Sequence, residues 1–163
     1  MSNPNLSDGN AVYSTTRGNL ASTASGITIT ALSDARQAMR LRKGLDGVTL
    51  INAEPRYMVV GADRETEAQE ILASITPNTT GDVNVFSGSF TLLVEPRIQD
   101  GSWFLFADPG RLPVMQYSYL ESAPGVQVEQ MEQWNTLGTS YRAWLDFGSG
   151  FIDWRGAHKN EVS

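Results

Sequence analysis

Two segments with helical spacing lie in the first half of the chain and a long series of short strand-like runs fills the rest. That order limits the fold more than any other feature. Residues 31–43 set Leu32, Ala35 and Met39 along one helix side, crowd Arg40, Arg42 and Lys43 at its end, and stop at Gly44. Residues 63–75 give a second helix, with Asp63 as its cap and Glu65 and Glu67 in its early turns. Its inward stripe is Ala68, Ile71, Leu72 and Ile75, and Pro77 ends it. Between the helices, 48–51 and 56–60 read as short strands around Pro55. Strand-like runs then follow at 90–95, 102–106, 114–120, 126–131, 141–147 and 151–154. They are bounded by Pro96, Asp108-Pro109-Gly110, Pro124-Gly125 and Gly148. Helices first and strands afterwards predict an α+β fold rather than an alternating α/β one.

The 163 residues suffice for one compact domain. Residues 1–30, rich in Ser, Thr, Asn and Gly, read as a loose lead-in, and 31–160 as a single compact unit. The net charge of −6 leaves no broad positive surface for a phosphate backbone, so nonspecific nucleic-acid binding is not expected. The absence of cysteine excludes disulfides, thiolate catalysis and sulfur-ligated zinc. No apolar run approaches the roughly 18 to 20 residues of a membrane span, so no membrane partner is expected.

Chemistry is sparse. The single histidine, His158, falls in the polar stretch Gly156-Ala157-His158-Lys159-Asn160 and reads as an exposed tail residue, with no G-x-S-x-G elbow to serve. Glu95, Asp100, Asp108, Glu121, Glu129, Asp146 and Asp153 could form a glycosidase pair by type, but their spacing selects none. Gly148-Ser149-Gly150 reads as a tight turn or bulge rather than half of a dinucleotide motif, and the sequon Asn78-Thr79-Thr80 as an ordinary loop. The four tryptophans, Trp103, Trp134, Trp144 and Trp154, fit core or subunit-interface roles better than a ligand platform. Arg40, Arg42 and Lys43 read first as a solvated helix end, and alternatively as a site for another subunit's acidic edge. No catalytic, cofactor-binding or metal-binding residue is expected.

The collinear order of motifs adds what no single motif does. The helix beginning Ala31-Leu-Ser-Asp-Ala-Arg-Gln-Ala-Met-Arg, then Lys43-Gly-Leu-Asp-Gly, Glu54-Pro-Arg-Tyr-Met-Val-Val and Glu65-Thr-Glu-Ala-Gln-Glu-Ile-Leu resemble the major capsid protein of tailed phages. Asp82-Val-Asn-Val-Phe, Leu93-Val-Glu-Pro-Arg, Trp103-Phe-Leu-Phe-Ala-Asp-Pro, Tyr117-Ser-Tyr-Leu-Glu and the closing Asp146-Phe-Gly-Ser-Gly-Phe-Ile-Asp-Trp-Arg continue the likeness. It is nearest to the branch of Mu-like prophages and of head subunits fused behind a prohead protease.

The resemblance implies the shell-protein fold shared by tailed phages and herpesviruses, with 31–60 and 140–160 in its peripheral domain and 61–139 mainly in its axial domain. It also implies that the family's N-terminal arm and extended loop precede the region seen here, making this the C-terminal portion of a coat protein. The expected function is a non-catalytic capsid subunit that associates with copies of itself or with full-length coat protein, in the virion and, during assembly, in the bacterial host cytoplasm. A chain without the arm and loop is expected to be monomeric or to form small rings rather than closed shells. The subunit-contact candidates are Arg40, Arg42, Lys43, Trp103 and Trp134. The alternative is a stand-alone binding module, or a dominant-negative coat fragment engaging phage or host proteins.

Overall fold

The computed structural model describes residues 3–73, 88–135 and 137–162. The expected single unit over 31–160 is instead two units, Met1–Val114 with Ile152–Ser163, and Met115–Phe151.

The first unit is built on β3 (Trp103–Ala107), whose sequence WFLFA has no polar residue on either side of its pleat. It pairs antiparallel with β1 (Pro55–Val60) and with β8 (Ala157–Asn160), and β2 (Thr91–Val94) lies parallel to β1, giving the order β2-β1-β3-β8. Trp103, Leu105 and Ala107 join one core cluster with Met58 and Val60 of β1 and with Leu32, Ala35 and Met39 of α1 (Ile29–Arg40). The expected stripe therefore faces inward, and Thr28 caps the helix by accepting from the Ala31 amide.

Phe104 has the opposite pleat direction and meets Tyr13, ring centroids 5.6 Å apart. Residues 1–30 are thus part of the fold and not a loose lead-in. Val12, Tyr13, Asn19 and Ile27 are buried, and Leu20 makes a parallel bridge to Lys159 that covers the outer edge of β8. Glu67 of α2 (Glu65–Leu72) pins the same stretch by accepting from the Ile27 amide at 2.9 Å.

Several local expectations need correction. Asp63 does not cap a helix; it lies in a 3₁₀ turn, Ala62–Arg64, ahead of α2. The chain passes so close there that a Cβ on Gly61 would lie 2.3 Å from the Ile98 carbonyl oxygen, so the approach itself dictates the turn. Residues 48–51 form no strand. They return by a single Lys43–Leu50 bridge, because Asp46 takes the Val48 and Thr49 amides into a turn. Ile75, the sequon at 78–80 and the Asp82-Val-Asn-Val-Phe motif lie outside the described residues.

The second unit is two separate ribbons. β4 (Met115–Tyr119) pairs with β7 (Phe147–Phe151), and β5 (Gln127–Glu132) with β6 (Thr139–Trp144). The expected strand 141–147 is divided between β6 and β7, and Gly148-Ser149-Gly150 is the middle of a strand, not a turn. Residues 152–154 leave the strand instead of continuing one. The alternation Phe147-Gly-Ser-Gly-Phe151 has strand period, and Tyr117, Tyr119 and Phe147 cluster on one face with centroids 5.5 to 5.9 Å apart.

The contrast between the units predicts unequal mutational costs. Leu105→Ala, in the fully buried strand, should lower unfolding free energy by about 2 to 5 kcal/mol, whereas Trp134→Ala should change it by about 0.5 kcal/mol or less. Urea titration of dilute protein measures both.

Candidate functional site

The closing segment carries the densest polar cluster. β8 reads Ala-His-Lys-Asn, a sequence with no apolar pattern, yet all four residues are buried between β3 and the Leu20 edge. His158 is therefore not an exposed tail residue. Its register partner is Leu105, which turns the imidazole toward the core side of the sheet. There Arg42, one residue beyond the α1 C-cap, reaches it with Nη2 at 3.3 Å from His158 Nδ1. A guanidinium has no acceptor, so Nδ1 accepts and the ring proton sits on Nε2.

Arg42 also donates to the Arg155 and Ala157 carbonyls at 2.5 and 2.6 Å and to that of Gly18 at 3.4 Å. It is neither a solvated helix end nor an exposed contact candidate, but a buried fork joining α1, the N-terminal stretch and the closing segment. Burial lowers its pKa to about 10, opposed by the Asp153 charge. Burial first, and the Arg42 charge second, bring His158 down to about 4.

Nothing in this cluster has the makings of a nucleophile and base. Several of the candidate acids are engaged by their own chain. Glu95 binds Arg97 at 2.7 Å, Glu129 binds Arg142 and the Trp144 indole, and Asp153 binds Arg155 at 3.2 Å. Hydrogen bonds from Arg97 hold Glu95, and those from Trp144 and then Arg142 hold Glu129, below the usual carboxylate range. A glycosidase acid needs the opposite shift. A cavity of about 400 Å³ beside β1 holds Glu54, Arg56, Asp108 and Arg111, with Arg56 and Asp108 4.0 Å apart and no histidine or neighbouring base. No cluster of three metal-ligating side chains occurs among the described residues.

What the molecule does present is apolar surface. In the second unit Met115, Tyr117, Tyr119, Val126, Val128, Met131, Tyr141 and Phe147 are all exposed, and Ala123 is the one buried apolar residue among those described. At the turn of the β5–β6 ribbon, closed by the Gln133 amide on the Gly138 carbonyl, Trp134 and Leu137 are 102% and 107% exposed. In the first unit the 41–50 excursion exposes Leu41, Leu45, Val48 and Leu50.

The contact candidates consequently separate. Trp103 is fully buried in the first core, its indole donating to the Ser25 carbonyl, so it is a core residue and not a contact. Arg42 is internal. Arg40 is half-buried and bound to Glu54 and Asn52, while Lys43 and Trp134 remain exposed. Sequence reasoning missed Leu137, Leu45 and the Tyr117–Phe147 face. The signal for the first two was a large apolar side chain inside a turn, where burial by the chain's own strands is hard to arrange.

A family model described as phage capsid protein matches residues 1–160. No curated protein matches the chain.

The buried histidine gives a pH signature. The unfolded chain takes up the His158 proton near pH 6.5 and the folded chain only near 4, so stability present above pH 6.5 is lost as pH falls between those values. The loss should reach about 3 kcal/mol at pH 4. In His158→Asn, whose side-chain oxygen can still accept from Arg42, this component is absent. The difference in unfolding free energy between the two proteins should therefore change by that amount between pH 7 and pH 4 in chemical denaturation; a constant difference would show that His158 does not titrate this way.

Proposed function

We propose a function from one premise: the chain belongs to the phage capsid protein family. Membership makes it a structural protein of the virion shell. On our reading it is a non-catalytic subunit that self-associates, and the observation that carries this is the second unit, two ribbons that expose nearly every large apolar side chain they have. A two-stranded ribbon is marginal in water by itself. Each large apolar side chain covered by a neighbouring copy contributes about 1.5 to 3 kcal/mol, so several together offset the cost of association.

The finer reading rests on the collinear motifs. It is a head subunit of the Mu-like branch with the shell fold of tailed phages and herpesviruses, 31–60 and 140–160 peripheral and 61–139 mainly axial. The core stripe of α1 and the β1–α2–β2 unit fit such a shell subunit, in which rigid elements hold shape and surfaces make many moderate contacts. The overall negative charge suits a container that must not grip its nucleic acid.

Sedimentation velocity over a wide concentration range, with negative-stain microscopy of the same samples, tests the reading. The expected result is concentration-dependent oligomers. A chain still monomeric at millimolar concentration, an association weaker than about −4 kcal/mol, would defeat self-association.

A further inference from the structure

We infer that the turn of the β5–β6 ribbon in one copy docks into a basic-rimmed pocket around Trp154 in a second copy. The inference rests on the self-association reading and names the two surfaces that meet. The pocket, about 460 Å³, lies in the first unit with Ala38, Leu41 and Trp154 as its apolar lining. Its cations are Arg17, Arg42, Lys43 and Arg155. Three of these stack about one ring, with the guanidinium carbons of Arg155, Arg17 and Arg42 at 4.9, 5.5 and 6.0 Å from the Trp154 centroid.

The charges here are not balanced by the chain itself. Asp8 pairs with Arg17 and Asp153 with Arg155, but Arg42 and Lys43 have no ion pair among the described residues. Arg17 Nη1 and Arg42 Nε are buried with no hydrogen-bond partner. In a chain of net charge −6, a pocket whose exposed rim cation, Lys43, has no ion pair among the described residues suits an apolar side chain accompanied by a carboxylate.

The second unit supplies that combination. It carries Glu121, Glu129, Glu132 and Asp146 against Arg142 alone. Glu129 is bound to Arg142, whereas Glu132 ends β5 next to the turn where Trp134 and Leu137 stand uncovered. An exposed Trp and Leu flanked by a carboxylate match an apolar pocket flanked by Lys43, the exposed member of its cationic rim. The contact joins two different surfaces, so it is head-to-tail and propagates into rings or chains rather than stopping at a dimer.

Charge exchange on the full-length chain decides the matter, read by sedimentation velocity. Lys43→Glu and Glu132→Lys should each weaken association by about tenfold or more. Mixing the two variants in equal amounts, or combining both changes in one chain, should restore it, and Trp134→Ser should abolish it with no rescue. Circular dichroism guards against misfolding, and Glu121→Lys serves as a charge-matched control that leaves association unchanged. If the parent chain associates but all these variants associate equally, the pairing is wrong while self-association stands. If Trp134→Ser abolishes association and Lys43→Glu does not, the ribbon docks elsewhere. If the parent chain stays monomeric, both readings fall. Binding of a short DNA duplex that Lys43→Glu removes, with sedimentation unchanged, would assign the pocket to phosphate and overturn the proposal.

Discussion

The rest of the first unit depends on where Arg42 spends its guanidinium. Its fork binds carbonyls from the N-terminal stretch and the closing segment, and its own backbone continues from α1, so three parts of the chain, one of them more than a hundred residues from the other two, meet at one side chain. Burying a cation without a contacting carboxylate is costly, and the donors offset that cost by meeting carbonyls and the Nδ1 of a histidine held neutral. The same burial that lowers Arg42 lowers His158, and the Arg42 charge lowers His158 further. A lysine here would keep the charge and lose the fork.

That junction explains why a polar tetrapeptide can serve as a buried strand. β8 is accepted next to β3 because its outer edge is covered by the Leu20 bridge and by the Ala21 amide on the Lys159 carbonyl. The Lys159 ammonium lies 5.8 Å from the Phe104 ring and binds Glu161, so its stem is buried while its charge is answered. The N-terminal stretch is therefore a structural layer. It packs Tyr13 on one face of β3 and, through Ile27, meets the helices on the other.

How far the sequence disclosed this depends on whether a segment's fate is set by its own pattern. The Leu32–Ala35–Met39 stripe, the apolar run of β3 and the alternating runs that became β1, β4, β5 and part of β6 carry their instructions locally, and they were legible. β8 has no local pattern at all, because its burial is imposed by neighbours at the other end of the chain. Gly148-Ser149-Gly150 was misread because glycine usually marks a turn, and here its flanking phenylalanines fix the strand period instead. Trp103 and Trp134 are the same residue in similar strand-rich settings, and the first is wholly buried while the second is wholly bare. The difference lies in the partners each meets in three dimensions, which residue type does not encode.

Core burial and exposed apolar surface fall to different stretches of the chain. The first unit has a packed core, a Thr28 cap on α1 and, along β8, a sheet edge covered by the N-terminal stretch. The ribbons of Met115–Phe151 have cross-strand hydrogen bonds and aromatic pairs but almost nothing beneath them. Such exposed apolar surface lowers solubility, and the acidic excess of the same stretch counters this by keeping free copies apart. In the proposed contact, apolar area supplies affinity, while the few charges at its border select the register. For a shell protein that division is useful, because core mutations then act on folding, and ribbon mutations, on the proposed reading, act on what the subunit joins.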